Sequence, residues 1–385
     1  MANERRVQMD TLSNKIRVPG KLFIAGEFAV LEPDGQCIVV AVDRYVFAEV
    51  KRSEENRIDL PQIGYSDITW NAEGNKLTFN VTGPKLNFIQ NTIEICHQYI
   101  LESGVSPLPF NLSITSELDD ASGKKYGLGS SAAVVVAVVT AILQSQKEVG
   151  IHSSKELIFK LAAMAHFKTQ GNGSCADIAA STYGGWLLYS PFYGEWLNKR
   201  LQKKMNAYTL VNEHWPGLII QAITPPKDLR LYIGWTGSEM RTAGMIRRVQ
   251  DFKNTHPDAY QDFLETSGAA VSSLVKSFTE GDIDRSLLSL MMNRNALMQI
   301  SDQADAGIET LELKQLIEIA NKYGVGKTSG AGGGDCGIAF IKNGQDTESL
   351  KNDWKEALIE PLDLRVSTEG ATVIGKGEEV NDGFN

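Results

Sequence analysis

The stretch Lys124–Leu143, KKYGLGSSAAVVVAVVTAIL, constrains this chain more than any other. Two lysines, two glycines and two serines stand directly before a long apolar run. A helix starting near Ser130 leaves the N–H groups of its first turn unpaired, and its dipole places partial positive charge there. The glycines ahead of it, Gly127 and Gly129, let the backbone approach a ligand and adopt φ > 0. Ser130 and Ser131 add hydroxyls, and Lys124 and Lys125 add mobile positive charge. The combination reads as an anion cradle fitted to a nucleotide triphosphate. It is not a Walker A loop, in which lysine follows the last glycine. The competing reading is a tight turn into a core helix with no ligand.

An anion cradle matters more in a chain that is itself acidic. The 385 residues carry 38 Lys and Arg against 47 Asp and Glu, a net charge of -9. A basic nucleic-acid footprint is absent, and an anionic membrane would repel the chain. Ala132–Leu143, the longest run free of Gly, Pro and charge, falls short of the roughly 20 residues that span a bilayer. The start, MANERRVQMDTLSNK, lacks the apolar core of a secretory signal, so the expected address is the cytoplasm. Cys37, Cys96, Cys175 and Cys336 form no CxxC pair; neither a zinc site nor a disulfide framework is expected, and small packing roles fit them better.

The length suits about two domains. CIVVAVDRYVFAEVKR is β-branched and reads as strand, as do KLTFNV, PFNLSITSEL, WLLYS, GLIIQAIT and LRLYIGWTG. Pro19-Gly20 reads as a turn. Helical spacing marks LNFIQNTIEICHQYILESG, SSKELIFKLAAMAHFKTQG, and most of the chain from EMRTAGMIRRVQDFK to IEIANKYG. Strands and helices mix without regular βαβ alternation, which argues for an α+β fold in two lobes. Phe192–Trp215 reads as irregular and charged. The junction is placed there, giving residues 1–205 as a nucleotide-binding lobe and 206–385 as a second lobe with a glycine-rich motif.

Three further segments carry chemistry. KTSGAGGGDCG packs four glycines into Gly330–Gly334, a cost in backbone entropy that close approach to a ligand would justify. In QGNGSCADIAAS, Asp177 sits among small residues that begin a helix. It is either a general base or a helix-terminus aspartate. In VPGKLFIAGEFAVLE, Lys21 stands between a turn and a buried strand, which favours a directed side chain.

These segments, in this order, resemble the motifs of the GHMP kinases. PGKLFIAGE is similar to that family's first motif, GLGSSAA to its nucleotide-phosphate motif, and TSGAGGGDCG to its third. The resemblance spans Val18 to about Asp335. Within the family it is closest to the branch acting on 5-phosphomevalonate, through KKYGLGSSAAVVVAVV, NGSCADIAA and IGWTGSEMRT. It implies transfer of the γ-phosphate of ATP to 5-phosphomevalonate, giving 5-diphosphomevalonate in the mevalonate route to isoprenoids. The alternatives are a mevalonate kinase, another small-molecule kinase of the family, or a non-catalytic ligand sensor. The resemblance also implies an N-terminal lobe like domain 2 of a small-subunit ribosomal protein and a ferredoxin-like C-terminal lobe.

The same resemblance distributes roles. Gly127, Leu128, Gly129, Ser130 and Ser131 would hold the ATP phosphates. Lys21 and Asp177 would face each other at the transferred group, Asp177 as base or as orienter of Lys21, and Lys125 would contact phosphates shared by donor and acceptor. Asn172, Ser174 and Thr242 would bind the acceptor, with Ser329, Gly330, Gly332 and Gly333 closing the site. Arg294 would be either an acceptor-phosphate ligand or a solvated helix arginine. Many mevalonate kinases place a Mg2+-binding glutamate about eleven residues before the aspartate. Here that position is His166, which leaves Ser131 as the protein ligand for Mg2+. The adenine pocket is expected within residues 60–90. The oligomeric state is not legible.

Overall fold

The computed structural model describes residues 13–374 except 121 and 239–241, with backbone alone at 242 and 243. In chain order come β1 (Asn14–Ala25), β2 (Cys37–Arg52), β3 (Arg57–Leu60), β4 (Tyr65–Glu73), β5 (Lys76–Phe79), α1 (Asn87–Glu102) and β6 (Phe110–Ser116). Next are α2 (Ser130–Ser145), α3 (Lys155–Gln170), α4 (Ala176–Tyr183), β7 (Trp186–Ser190), α5 (Gly194–Gln202), α6 (Ala207–Asn212) and β8 (Ile219–Ile223). The remainder is β9 (Leu229–Trp235), α7 (Thr242–Thr255), α8 (Pro257–Glu280), α9 (Ile283–Gln303), α10 (Leu311–Ala320), β10 (Val325–Thr328), β11 (Cys336–Lys342), α11 (Thr347–Glu356), β12 (Glu360–Leu362) and β13 (Thr372–Ile374).

Among the described residues the first sheet runs β13-β1-β2-β6-β3-β4-β5, with β7 and β8 continuing from the far part of β2. Of the pairings among the described residues, only β3 with β6 is parallel. The second sheet, β10-β11-β9-β12, is antiparallel throughout. This is the expected α+β architecture. The first sheet takes in β8 and β13, both beyond residue 206, so the chain returns to the first lobe at its end.

α2 is the centre of the first lobe. Val134, Val135, Val136, Val138 and Val139 are poor helix formers on propensity alone. They are helical here because the element is wrapped by β1, β2, α1, α3 and α4, and from Val135 to Leu143 every residue is buried. Burial all round replaces the usual one-sided stripe. Its N-terminus therefore emerges from the core at a fixed place.

Two sequence expectations are corrected. Pro19-Gly20 is not a turn; β1 runs straight through it, with a register shift against β2. Gly20 is required because a Cβ there would sit 2.8 Å from Leu118 Cδ2 and 3.0 Å from Leu128 O. Phe192–Trp215 is not irregular; it holds α5 and α6, whose charges obscured the short apolar spacing, and Asn206 caps α6 by accepting from Thr209 N. All four cysteines are free and buried, as expected. No helix among the described residues is long and apolar enough to cross a membrane.

Candidate active site

The loop before α2 folds back on β1. Lys21 N donates to Leu128 O at 2.8 Å, and Lys21 Nζ donates to Gly127 O at 3.3 Å. Gly127 and Gly129 hold φ of 80° and 81°, the left-handed region that glycine enters without strain. Space is equally decisive. A Cβ on Gly129 would lie 3.0 Å from Lys21 Cγ and Cε, and one on Gly127 would lie 2.5 Å from Asp335 Cβ and Oδ2. The α2 ladder opens with Ala133 N donating to Gly129 O at 3.1 Å. The N–H groups of Ser130, Ser131 and Ala132 precede that bond and have no partner within the helix.

The loop is anchored from below. Tyr126 packs edge-on to Trp235 at 4.8 Å and carries the Arg44 guanidinium 4.2 Å above its ring. Its carbonyl accepts from Cys336 Sγ. Burial pushes the Cys336 and Cys175 thiols well above the ordinary range, which disfavours the reactive thiolate form.

A cavity of about 370 Å3 lies beside this loop. Lys21, Lys125, Gly127, Leu128, Gly129, Ser130, Ser131 and Asp177 all line it, joined by His166, Gln170 and Asp335. The anion cradle and the Lys21–Asp177 couple, inferred from separate stretches of sequence, thus share one space. Lys21 is 9% exposed, and burial lowers its pKa from the ordinary 10.5; Asp177 is foremost among the charges that oppose the shift, followed by Asp335. Asp177 stands in the first turn of α4, where Oδ1 accepts from Ile178 N at 2.9 Å, so it is both a helix-terminus aspartate and a cavity residue.

Other expected site residues fall outside this cavity's lining. Asn172 is exposed and Ser174 half-buried on the loop between α3 and α4. Ser329 donates to Phe23 O at 2.9 Å and accepts from Phe23 N at 3.1 Å, so its hydroxyl ties β1 to the second lobe. Gly332 packs where a Cβ would meet Ile308 O at 2.2 Å, and Gly333 N donates to that same carbonyl. Space beside Gly330 is open. Thr242 opens α7, but its side chain lies outside the described residues. Arg294 is held in a two-pronged pair with buried Glu309, at 2.8 and 2.9 Å, a packing role that neither sequence reading anticipated.

Asp335 was the residue that sequence reasoning passed over. It is the one acid inside the glycine motif, with φ of 55°, a conformation that aspartate tolerates. Its carbonyl accepts from Thr236 N and Oγ1, both at 3.0 Å, and its N–H donates to Ser238 O. This latch turns its side chain toward Gly127. Gly127→Ala should therefore raise the KM for nucleotide about tenfold or more while the fold survives, since the left-handed backbone alone costs about 1–2 kcal/mol. Steady-state kinetics beside a thermal melt checks this; an unchanged KM would refute the close approach.

Sequence comparison bears on what the cavity is for. The family model described as GHMP kinases N terminal domain matches residues 87–185, and that described as GHMP kinases C terminal matches 273–360. A phosphomevalonate kinase of Streptomyces sp. (strain CL190) is 32% identical over 91% of this chain and 96% of its own length. The chain belongs to the GHMP kinase family. Among solved structures, the Streptococcus pneumoniae phosphomevalonate kinase in complex with phosphomevalonate and AMPPNP superposes with this GHMP kinase at a TM-score of 0.80. It is 30% identical, covering 92% of this chain and 99% of that one. The Pyrococcus furiosus mevalonate kinase matches less well, at 27% identity over 92% of this GHMP kinase and 96% of its own length.

Proposed function

We propose that this GHMP kinase transfers the γ-phosphoryl group of ATP to the phosphate of 5-phosphomevalonate, releasing ADP and 5-diphosphomevalonate. The observation that carries the reading is the shared cavity. A buried ammonium and a carboxylate face a helix N-terminus, in a chain 32% identical over 91% of its length to a phosphomevalonate kinase.

The acceptor oxygen belongs to a phosphate that is already ionised near neutral pH, so little proton removal is needed. The difficulty is bringing two polyanions together. An acceptor oxygen attacks the γ-phosphorus, and the bond from that phosphorus to the bridging oxygen of ADP breaks. The first-turn N–H groups of α2 and the Ser130 and Ser131 hydroxyls hold the donor phosphates. Lys21 neutralises charge on the group in flight, with Asp177 orienting it, and Lys125 spans donor and acceptor. Asn172, Ser174 and Thr242 are assigned to the acceptor. The Ser329–Gly333 loop is the wall that closes on it.

Mg2+ fits the same wall. The Ser131 side is exposed to the cavity, and Asp177 and Asp335 place carboxylates there. Among the described residues no cluster of three His, Cys, Asp or Glu forms a cage of its own. An ion carried in on phosphates and water requires only one or two protein ligands, and Ser131 is the one assigned. Bound there, it would neutralise charge on the phosphate oxygens.

A coupled ADP-release assay over 5-phosphomevalonate, mevalonate and a panel of alcohols and phosphomonoesters tests the reading. The expected kcat/KM for 5-phosphomevalonate exceeds that for mevalonate by about 10⁴-fold, the scale on which a site built for a polar group rejects the analogue lacking it. Preference for mevalonate or another alcohol would overturn it.

A further inference from the structure

α4 carries Asp177 in its first turn, and Ser181 lies four residues later on the same face. A helical serine or threonine ordinarily returns its hydroxyl to a carbonyl three or four residues back, as Thr92, Thr140 and Ser145 do here. For Ser181 the carbonyl four back is that of Asp177. Its hydroxyl instead leaves the helix and donates to Pro19 O at 2.9 Å. Pro19 stands two residues before Lys21, where β1 shifts register against β2. Ser181 is fully buried, so the bond is shielded from water. The backbone at this helix end is satisfied separately, since Ser181 O accepts from Ala371 N at 2.9 Å. The hydroxyl is therefore not needed by the helix; it fixes how α4 sits on β1.

The other end of α4 is fixed from β7. Tyr189 is fully buried there, and its phenol donates to Ser174 O. Burial pushes that phenol well above its ordinary range, so it keeps the proton this bond requires. The next residue, Cys175, holds φ of 59°, a left-handed backbone that strains a non-glycine residue. Such strain persists only where the surroundings impose it, and the pinned Ser174 carbonyl is one such restraint. α4 begins directly afterwards, at Ala176. Both bonds thus bear on one relation. Lys21 rides on β1, Asp177 rides on α4, and both line the cavity. A misplacement of about 1 Å at a reacting centre can cost about 100-fold in rate.

We propose that Ser181 and Tyr189 are positioning residues for phosphoryl transfer: one hydroxyl pins α4 to β1, the other pins the entry of α4 to β7, and together they set Asp177 against Lys21. The inference rests on the roles given above to Lys21 and Asp177. Neither hydroxyl reaches the substrate; each acts through Asp177.

Full-length wild type, Ser181→Ala, Ser181→Thr, Tyr189→Phe and Asp177→Asn are compared by ADP release from ATP with 5-phosphomevalonate. Ser181→Ala and Tyr189→Phe are also each combined with Asp177→Asn. Assays run well below the melting temperatures, which are measured beside them, so every protein is folded. Ser181→Ala and Tyr189→Phe each delete one oxygen. Each should lower kcat about 10- to 100-fold. The KM for ATP should move less than about threefold, because the α2 cradle is untouched. Ser181→Thr, which keeps the hydroxyl, should recover most of the loss. On the Asp177→Asn background each deletion should cost less than about twofold, since groups that act through one another are not additive. A merely structural hydroxyl would cost the same on both backgrounds. A kcat within about twofold of wild type in either deletion, a KM for ATP that rises in step, or full additivity with Asp177→Asn overturns the inference. If Ser181→Ala does not fold, Tyr189→Phe on the two backgrounds decides. If Asp177→Asn is too slow to assay, threonine against alanine at 181 decides, and equal kcat values overturn the inference. Wild type inactive on 5-phosphomevalonate, or Asp177→Asn as active as wild type, removes the reading of the reaction and the inference together. A slow Asp177→Asn beside indifferent deletions removes the inference alone.

Discussion

Lys21→Ala is expected to lower kcat about 10²–10³-fold while the KM for ATP changes little. The geometry gives the reason. On the proposed reading, the α2 N-terminus and its serines, which line the cavity with Lys21, would bind phosphate with or without it, so the ground state would keep its main contacts. The ammonium is held in place by Gly127 O and by a stem that runs past Gly129, where only glycine leaves room. On that reading it would be pre-positioned for charge that develops in transfer. The pH profile adds a second signature. Burial lowers the Lys21 pKa below 10.5 in the free enzyme. A lysine loses its charge as pH rises through its pKa, so activity falls on the alkaline side, and earlier than an ordinary lysine would allow. Bound polyphosphate favours the charged form and raises that pKa again. The alkaline limb of kcat/KM, which reports the free enzyme, should thus lie at lower pH than that of kcat, which reports the complex. ADP release measured across the alkaline range decides. Equal loss of nucleotide binding and turnover in Lys21→Ala would remove the transition-state role.

What the sequence disclosed about this site was local, and what it hid was long-range. Gly127–Ser131 and Asp177 each sit at the start of a helix, and a helix start is written in consecutive residues. α7 to α10 were legible for a similar reason, since 3.6-residue spacing is a short-range pattern. The face-to-face approach of Gly127 and Asp335 joins two glycine runs about two hundred residues apart in sequence, and nothing in either run names the other. The third motif has a packing use that its sequence did not disclose. Its glycine density reads as room for a ligand, and in the structure Gly332 and Gly333 also answer to the Ile308 carbonyl and Ser329 to the Phe23 backbone. Glycine demand shows that something comes close; it does not show whether that is ligand or protein. β13 escaped notice because three residues are too few to show alternation.

The interface between the lobes rests on a group that sequence reading did not single out, and its removal should have the largest effect on stability. Lys327 and Glu27 form an ion pair at 2.5 Å with 0% and 2% of their side chains exposed. Lys327 Nζ also donates to Thr328 O at 2.7 Å. With its amide nitrogen facing Glu27, Asn293 donates to Glu27 Oε2 at 3.1 Å and accepts from Gly26 N at 3.2 Å. The end of β1, α9 and β10 thus meet in one buried polar cluster, next to the Ser329–Phe23 bonds. Lys327→Met should destabilise the protein by about 3–5 kcal/mol, because it strands a carboxylate in the interior. Glu27→Gln combined with Lys327→Met should cost less than the two single changes added together, since the double variant leaves no unpaired charge. Urea unfolding of the four proteins measures the coupling. Glu27 also stands last among the charges that oppose the lowering of the Lys21 pKa by burial. A Lys327→Met variant within about 1 kcal/mol of wild type, well under the range for a broken buried pair, would mean that water reaches this cluster and that the two lobes are joined by other contacts.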